Sequence, residues 1–224
     1  MKDGDSMQGR REFYQKQLEN IISSLDTQAE LQSLLLHSCC GPCSSYVLEY
    51  LSRYFAVTVY FYNPNIAPDE EYEHRLAEQK RLIALLPVSI KVGLLEGVYE
   101  PERYDKEIAG LETTGEGGER CRRCYEFRMR DTAEAAKKNG FDYFTTTLSV
   151  SPYKNAVWIN EIGMDLERET GVKYLPSDFK KKGGYQRSIE LSRKYELYRQ
   201  HYCGCVFSKL EAEQKEKERA EGKA

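Results

Sequence analysis

Residues 34–62 read LLLHSCCGPCSSYVLEYLSRYFAVTVYFY, and this stretch decides the fold class. Its apolar start, Leu34–Leu36, predicts a short buried strand, and the Gly-Pro turn that follows leads into the apolar spacing of a helix. The β-branched and aromatic run Ala56–Tyr62 predicts a second strand. A strand, a helix and a strand in this order form a right-handed βαβ unit with parallel strands.

The alternation of strands and helices continues along the chain. We expect further strands at 88–92, 141–148 and 173–175, helices at 11–25, 69–86, 121–139, 155–169 and 184–200, and an irregular stretch at 94–119. This pattern predicts an α/β protein in which a parallel sheet forms a three-layer αβα arrangement. The loops HSCCGPCSS, NPNIAP and SVSPYKN each follow a strand, so they should open together at the C-terminal edge of the sheet, where such folds bind ligands.

The composition indicates a water-soluble protein. Of the 224 residues, 31% are charged, and the mean hydropathy is −0.68. No apolar stretch approaches the length that spans a bilayer, and the first residues, MKDGDSMQGRREFYQ, lack the apolar core of a secretory signal. We therefore expect a cytoplasmic protein without a membrane partner. The net charge of −3 argues against a protein that coats nucleic acid over its whole surface, yet it allows a local basic patch.

Seven cysteines form three closely spaced groups, which buried structural cysteines alone explain poorly. Reduced cytosolic thiols in such groups indicate metal binding or catalysis. The Cys121–Cys124 pair has the CxxC spacing that zinc sites also use. Adjacent Cys39 and Cys40 suit a larger iron–sulfur cluster better than a tetrahedral zinc ion, and four thiolates satisfy a [4Fe–4S] cluster. The groups are Cys39, Cys40 and Cys43; Cys121 and Cys124; Cys203 and Cys205.

The last group, Cys203-Gly204-Cys205, has the pattern of a redox-active pair. Glycine allows the turn that brings the two sulfurs together, and a strained exposed bridge between them would be reduced easily. The same thiols could instead bind one metal. For Cys43 the spacing leaves open a spare thiol or a ligand of a second iron.

Basic and aromatic residues after the fifth strand predict contacts with nucleic acid. The run KKKGGYQRSIELSRK, residues 180–194, has a Gly-Gly step between cations and is interpreted as a loop that contacts phosphate. Tyr153 and Tyr185 are candidates for stacking on bases. Further candidates for substrate contact lie in the loops that follow the strands. The predicted RNA-binding residues are Lys180, Lys181, Lys182, Arg187, Tyr185 and Tyr153, and the loop candidates are Asn63, Asn65, Ser151 and Lys154.

The histidines are interpreted individually. His37 ends the first strand and is either a proton source beside the cysteines or a structural residue. His74 lies in a charged helix and is expected at the surface. His201 lies close to the CxC pair and is a candidate for tuning its thiols.

Taken in order, six motifs resemble the QueH type of epoxyqueuosine reductase. They are HSCCGPC, FYNPNI, ERCRRCYEFRM, TTTLSVSPYKN, FKKKGGYQRSIELSR and YCGC, which run from His37 to Cys205. The resemblance implies a fold of the adenine-nucleotide α-hydrolase-like (HUP-related) type and an iron–sulfur enzyme. Such an enzyme reduces epoxyqueuosine to queuosine at the wobble position of tRNA anticodons, the last step of queuosine biosynthesis.

The resemblance also implies roles for individual cysteines. Cys39, Cys40, Cys121 and Cys124 correspond to the ligands of a [4Fe–4S] cluster, and Cys203 and Cys205 correspond to a redox-active pair. A second, mononuclear iron near Cys43 is a further expectation. The partners implied are tRNA and an electron donor that the sequence does not identify.

Other functions remain as alternatives. An ATP-dependent tRNA-modifying enzyme of the PP-loop class shares the fold, but it needs a SGGxDS-like loop where this chain has CCGPCSS. A zinc-stabilised RNA-binding module would use the same cysteines structurally. A CCG-type disulfide reductase subunit shares the CC and CxxC pairs but not their separation along the chain.

We expect three segments in the chain. They are a helical N-terminal extension at 1–30, an α/β iron–sulfur catalytic domain at 31–209, and a charged, disordered tail at 210–224.

Overall fold

The fold is built around one sheet of five parallel strands. The computed structural model describes residues 7–25, 30–87, 89 and 91–222. The strands are β1 (Ser33–His37), β2 (Ala56–Phe61), β3 (Gly93–Glu96), β4 (Tyr143–Thr146) and β5 (Lys173–Tyr174). They lie in the order β3-β2-β1-β4-β5, and every neighbouring pair is parallel.

Helices cover both faces of this sheet and confirm the predicted three-layer αβα fold. They are α1 (Met7–Ser24), α2 (Gly41–Leu51), α3 (Asp69–Leu85), α4 (Pro101–Glu107), α5 (Glu119–Lys138), α6 (Ala156–Thr170), α7 (Gly184–Lys194) and α8 (Val206–Ala220). Side chains alternate between the faces along each strand. Leu35 packs with residues of α5 and α6, whereas Leu34 and Leu36 pack with residues of α2 and α3.

The strand order creates a switch point between β1 and β4. From β1 the chain first builds outward through β2 to β3, and it then returns to place β4 on the other side of β1. The loops after β1 and β4 therefore diverge and leave a crevice at the C-terminal edge of the sheet, which is where this architecture binds ligands. The narrower assignment to the HUP-related folds stays a prediction.

Two elements differ from expectation in the middle of the chain. The third strand is Gly93–Glu96 rather than 88–92, of which residues 88 and 90 lie outside the described residues. A Cβ atom on Gly93 would lie 2.8 Å from Thr58 Oγ1, so this close approach to β2 suits glycine. The stretch 94–119 contains α4, which begins at Pro101, a residue that suits the first turn of a helix.

The C-terminal part of the chain also differs. The helix predicted over 184–200 ends at Lys194, and Glu196 has a positive φ of 50°, which a helix does not accommodate. The segment expected to be a disordered tail is helical as far as Ala220. The side chain of Cys205 caps this helix by accepting a hydrogen bond from the Ser208 N–H (3.4 Å), and Glu211 forms an ion pair with the buried Arg120 (3.2 Å). Tertiary contacts therefore fix a helix that composition alone leaves undecided.

The N-terminal helix is part of the packed core. Leu18 of α1 is fully buried in the same apolar cluster as Leu34 and Leu36 of β1. The boundary predicted at residue 30 stays a prediction. Among the described helices, none is both long enough and apolar enough to cross a membrane.

Gly163 offers a test of the packing between α6 and β5. A Cβ atom there would overlap the ring of Tyr174, which is 3% exposed and has no room to move. We expect Gly163→Ala to lower the free energy of unfolding by about 1–2 kcal/mol, because overpacking outweighs the better helix propensity of alanine. Thermal unfolding should then shift down by about 2–8 °C.

The control for this change is Gly115→Ala, where no atom lies within 4 Å of the added Cβ. An unchanged melting temperature in Gly163→Ala, equal to that of the control, would contradict the packing described for Tyr174.

Candidate active site

Three helix N-termini carry all the cysteines. Cys40 is the N-cap residue of α2, and Pro42 lies in its first turn, where a missing N–H is tolerated. The N-terminal end of a helix favours negative charge and hence thiolates. All seven cysteines are free: Cys39, Cys40 and Cys43 at α2, Cys121 and Cys124 at α5, and Cys203 and Cys205 before α8.

The three groups meet at two adjoining hollows. A small cavity of about 10 Å³, room for roughly one water, is lined by four of the cysteines. A cleft of about 480 Å³, a volume typical of sites for small molecules, is lined by the others. Cys203 and Lys154 line both and so join them. The cavity holds Cys121, Cys124, Cys203 and Cys205, and the cleft holds Cys39, Cys40, Cys43 and Cys203.

Arg128 is a fully enclosed cation among these thiols. Its side chain is 1% exposed, and it donates to Cys124 O and Asn63 Oδ1, both at 3.3 Å. Its Nη2 atom has no hydrogen-bond partner, and the described residues provide no carboxylate for an ion pair. Burial lowers the pKa of Arg128, but the thiol groups of Cys124 and Cys39 outweigh burial and raise it. The anions available to this guanidinium are therefore thiolates.

Arg75 is a second buried cation, and it also holds the CxC turn in place. Its Nε forms an ion pair with Glu71 (2.6 Å), and Nη1 donates to Cys203 O (2.9 Å). The Nη2 atom of Arg75 has no hydrogen-bond partner. Burial lowers the pKa of Arg75, but the interactions with Cys40, Glu71 and Cys39 outweigh burial and raise it. Gly204 has a φ of 128°, and a Cβ there would lie 2.9 Å from Arg75 Nη1, so this turn requires glycine.

By themselves, the thiols of Cys39, Cys40, Cys121 and Cys124 stay protonated. Hydrogen bonding to Cys40 and burial raise the pKa of Cys39 well above its ordinary value. A hydrogen bond with Cys39 lowers the pKa of Cys40, but the bond to Cys43 and burial outweigh it and raise the pKa to about 12. Burial raises the pKa of Cys124 to about 11 and also raises that of Cys121.

These buried cations and protonated thiols fit an anionic metal–thiolate group. Thiols lose their protons when they bind a metal, and the resulting thiolates would supply the negative charge that Arg128 lacks and add to that of Glu71 beside Arg75. The positive charges of the two arginines are therefore complementary to the negative charge of a cluster bound by the surrounding cysteines. The thiols are not arranged around a single ion, since no three of the described His, Cys, Asp or Glu side chains are grouped closely enough to hold one metal.

Lys154 and the CxC pair form a separate contact between the two hollows. The Lys154 ammonium, 8% exposed, donates to Cys203 Sγ at 2.7 Å. Burial lowers the pKa of Lys154, but the interactions with Cys203 and Tyr125 outweigh burial and raise the pKa well above its ordinary value. Glu116 lies 4.0 Å from the same ammonium.

The predicted RNA-binding residues divide into two sets. Three of the cations have carboxylate partners: Lys180 pairs with Asp178, Lys182 with Glu19, and Arg187 with Glu49 and Glu190. Lys181 forms no ion pair within the described residues. Tyr153 and Tyr185 both line the large cleft, and Tyr153 is 78% exposed.

The three histidines take different places. His37 is fully buried between Thr146 Oγ1 (2.9 Å) and Tyr62 O (3.2 Å), and burial lowers its pKa to about 3. It is therefore neutral and structural, with Nε2–H donating to the carbonyl. His74 is exposed as expected, with its ring edge against Tyr198. His201 is exposed and lies 3.6 Å from Glu216.

Several site residues lie outside the sequence-based candidates. Arg128 could have been found, because it lies one helical turn after Cys124 and so shares its face of α5. Arg75 carries no local signal, since α3 reaches Cys203 only through the tertiary fold. Ser208 could have been found, because it follows Cys205 by three residues in the first turn of α8. Two residues that the sequence did suggest for substrate contact take different places: Asn63 is buried, donates from Nδ2 to Ser38 O and accepts from Arg128 at Oδ1, whereas Asn65 lines the small cavity with an Oδ1 atom that has no partner.

Comparison with known proteins agrees with this site. A model of the family described as epoxyqueuosine reductase QueH matches residues 34–211, which include every cysteine. An epoxyqueuosine reductase QueH of Staphylococcus epidermidis is 44% identical over 91% of this chain and 87% of its own. Those of Streptococcus pyogenes and Thermotoga maritima are 42% identical over 87% and 37% identical over 83% of this chain, covering 77% and 95% of their own lengths.

Both kinds of match extend over most of the chain and include the helix N-termini that carry the thiols. The resemblance seen in the motifs is confirmed, and this chain belongs to the epoxyqueuosine reductase QueH family.

Proposed function

We propose that this protein is a cytoplasmic oxidoreductase that reduces epoxyqueuosine in tRNA to queuosine at an iron–sulfur centre. The observation that carries this proposal is the meeting of three cysteine groups and two buried arginines at one cleft. Membership of the family supplies the substrate, because its members are named for it. The cytoplasm contains both tRNA and the reducing conditions that keep seven thiols free.

The reaction removes one oxygen atom. An epoxide, two electrons and two protons give an alkene and water. Two thiols that close to a disulfide release two electrons and two protons, so one Cys203–Cys205 pair matches one turnover. An external electron donor must then reduce the disulfide.

The chain's residues divide the task between the two hollows. Cys39, Cys40, Cys121 and Cys124 would hold a [4Fe–4S] cluster, which when bound supplies single-electron transfer and an iron able to polarise an oxygen atom. Arg128 and Arg75 would balance its negative charge. Lys154 Nζ donates a hydrogen bond to Cys203 Sγ and would pass a proton to the departing oxygen. The fold admits substrate through the large cleft, which has room for a nucleoside.

Cys43 has a separate proposed role. It contacts Cys40 and lines the cleft. A second, mononuclear iron held by Cys43, Cys203 and Cys205 would require these thiols to move together, because no three of the described side chains are grouped around a single ion. This use competes with disulfide formation by the CxC pair. The variants described below separate the two.

The reaction itself is the first test. Protein purified without oxygen should convert epoxyqueuosine-containing tRNA to queuosine-containing tRNA when a strong reductant is present. The readout is the loss of one oxygen atom from the nucleoside, measured by mass spectrometry after digestion. Protein loaded with iron that leaves the epoxide intact, or protein that instead releases AMP from ATP, would contradict the proposal.

Cluster ligation is tested by metal content. Cys121→Ser combined with Cys124→Ser should lower both bound iron and acid-labile sulfide and should bleach the brown colour, because two of four thiolate ligands are lost. Cys43→Ser is the matched control and should keep the sulfide content of the wild type. Full iron in the double variant would overturn the ligand assignment, and colourless wild-type protein with bound zinc would favour a zinc-stabilised module.

The CxC pair is tested by separating turnover from metal content. Cys203→Ser and Cys205→Ser should each keep the cluster and lose turnover, because neither can form the disulfide. Lys154→Met should slow alkylation of Cys203 by iodoacetamide, because it removes the cation that contacts Cys203 Sγ, and Lys154→Arg should restore part of that rate.

A different result identifies the competing role. Loss of part of the iron, without loss of sulfide, in both serine variants would assign the pair to a second iron. Wild-type turnover at unchanged iron content would remove the pair from the mechanism.

A further inference from the structure

The helix α8 forms one wall of the large cleft. Its residues that line the cleft are Ser208, Ala212, Lys215, Glu216 and Arg219, whose spacing places them on one face of the helix. The first turns of α8 are anchored, because Arg120 pairs with Glu211 and stacks over the ring of Phe207 (4.4 Å). Beyond Glu211 the helix runs along the cleft with its side chains mostly exposed.

This wall carries cations that the protein leaves available. Lys215 and Arg219 are exposed, and neither forms an ion pair within the described part of the chain. Arg199, also lining the cleft, donates to the neutral Ser192 Oγ at 3.2 Å. Glu216 lies beside His201, so its charge is partly engaged. Lys180, Lys182 and Arg187, by contrast, all have carboxylate partners, so their charges are already neutralised within the protein.

The cleft is also lined by an exposed aromatic ring. Tyr153 is 78% exposed and lies in the loop after β4, next to Lys154 and Cys203 at the base of the cleft. An exposed tyrosine beside cations is the arrangement that binds single-stranded nucleic acid, since bases stack on the ring while phosphates follow the charges. The cleft has room for one nucleoside, so the rest of the RNA must remain at its rim.

We propose that Lys215, Arg219 and Arg199 bind the phosphate backbone of the anticodon loop while Tyr153 stacks on a base next to the one that enters the cleft. The occupant is a single-stranded RNA loop, chosen because the free charges are positive and an exposed aromatic ring lines the same cleft. This proposal rests on the proposed function for its substrate. It assigns RNA binding to α8, the helix in the segment that the sequence predicted to be a disordered tail.

The test compares two faces of the same helix. Lys215→Ala with Arg219→Ala removes two cations that line the cleft, and Lys209→Ala with Lys217→Ala removes two that do not. Binding of a labelled transcript of a substrate tRNA is measured by fluorescence anisotropy over a range of salt concentrations. The first pair should weaken binding and make the salt slope shallower by about 0.7–0.9 for each lost phosphate contact, whereas the control should match the wild type.

Tyr153 gives an independent measurement. Tyr153→Ala should weaken binding by about tenfold or more, and Tyr153→Phe should retain it, because stacking needs the ring and not the hydroxyl. Equal iron content and equal circular dichroism in all variants exclude a general loss of structure.

The outcomes separate this inference from the proposed function. If the wild type reduces epoxyqueuosine in tRNA but the Lys215 and Arg219 variant binds tRNA with unchanged affinity and slope, the inference is wrong. If those variants instead slow reduction by an acidic electron-transfer protein while tRNA binding is unchanged, the surface serves the electron donor and the inference is again wrong. If the variants bind as expected but the wild type leaves the epoxide intact, the RNA surface stands and the proposed reaction fails.

Discussion

The buried Arg128 guanidinium is the constraint on which the site depends. A cation that has lost its water must face an anion, and a guanidinium is never neutral under ordinary conditions. Within the described residues no carboxylate reaches it, and its neighbours are cysteines at the starts of two different helices. The thiols at the starts of α2 and α5 are therefore the groups that must neutralise Arg128, and the two helices have to be positioned so that their thiols reach it.

The sheet brings those helix starts together. Because β1 and β4 are adjacent while the helices that follow them diverge, the C-terminal edge of the sheet is open between them. The helices α2 and α5 cover opposite faces, yet Cys39 packs against the same apolar cluster as Cys121 and Cys124. Arg75 then fixes the third group from α3 by holding the backbone of Cys203. One topological feature thus gathers groups that lie far apart in the sequence.

The sequence predicts those parts of the structure that local signals control. Apolar runs, the Gly-Pro turn and the β-branched strand place β1, α2 and β2, and cysteine spacing identifies the three thiol groups. The strand at Gly93–Glu96 was misplaced because VSIKV has strong strand propensity, whereas the actual position depends on a close approach to Thr58. The roles of Arg75 and α8 were not predicted for a related reason. Arg75 contacts the distant Cys203, and α8 is held by the distant Arg120, so neither contact has a local signal in the sequence.

The wide separation of the cysteine groups along the chain also bears on the order of assembly. During synthesis the first group emerges well before the second, and the two meet only after β4 has joined β1. The helix α8, whose N-terminal turn lines the small cavity, is made after both of these groups. Until α8 docks, the cavity that Cys121 and Cys124 line lacks the wall that Cys205 and Ser208 supply.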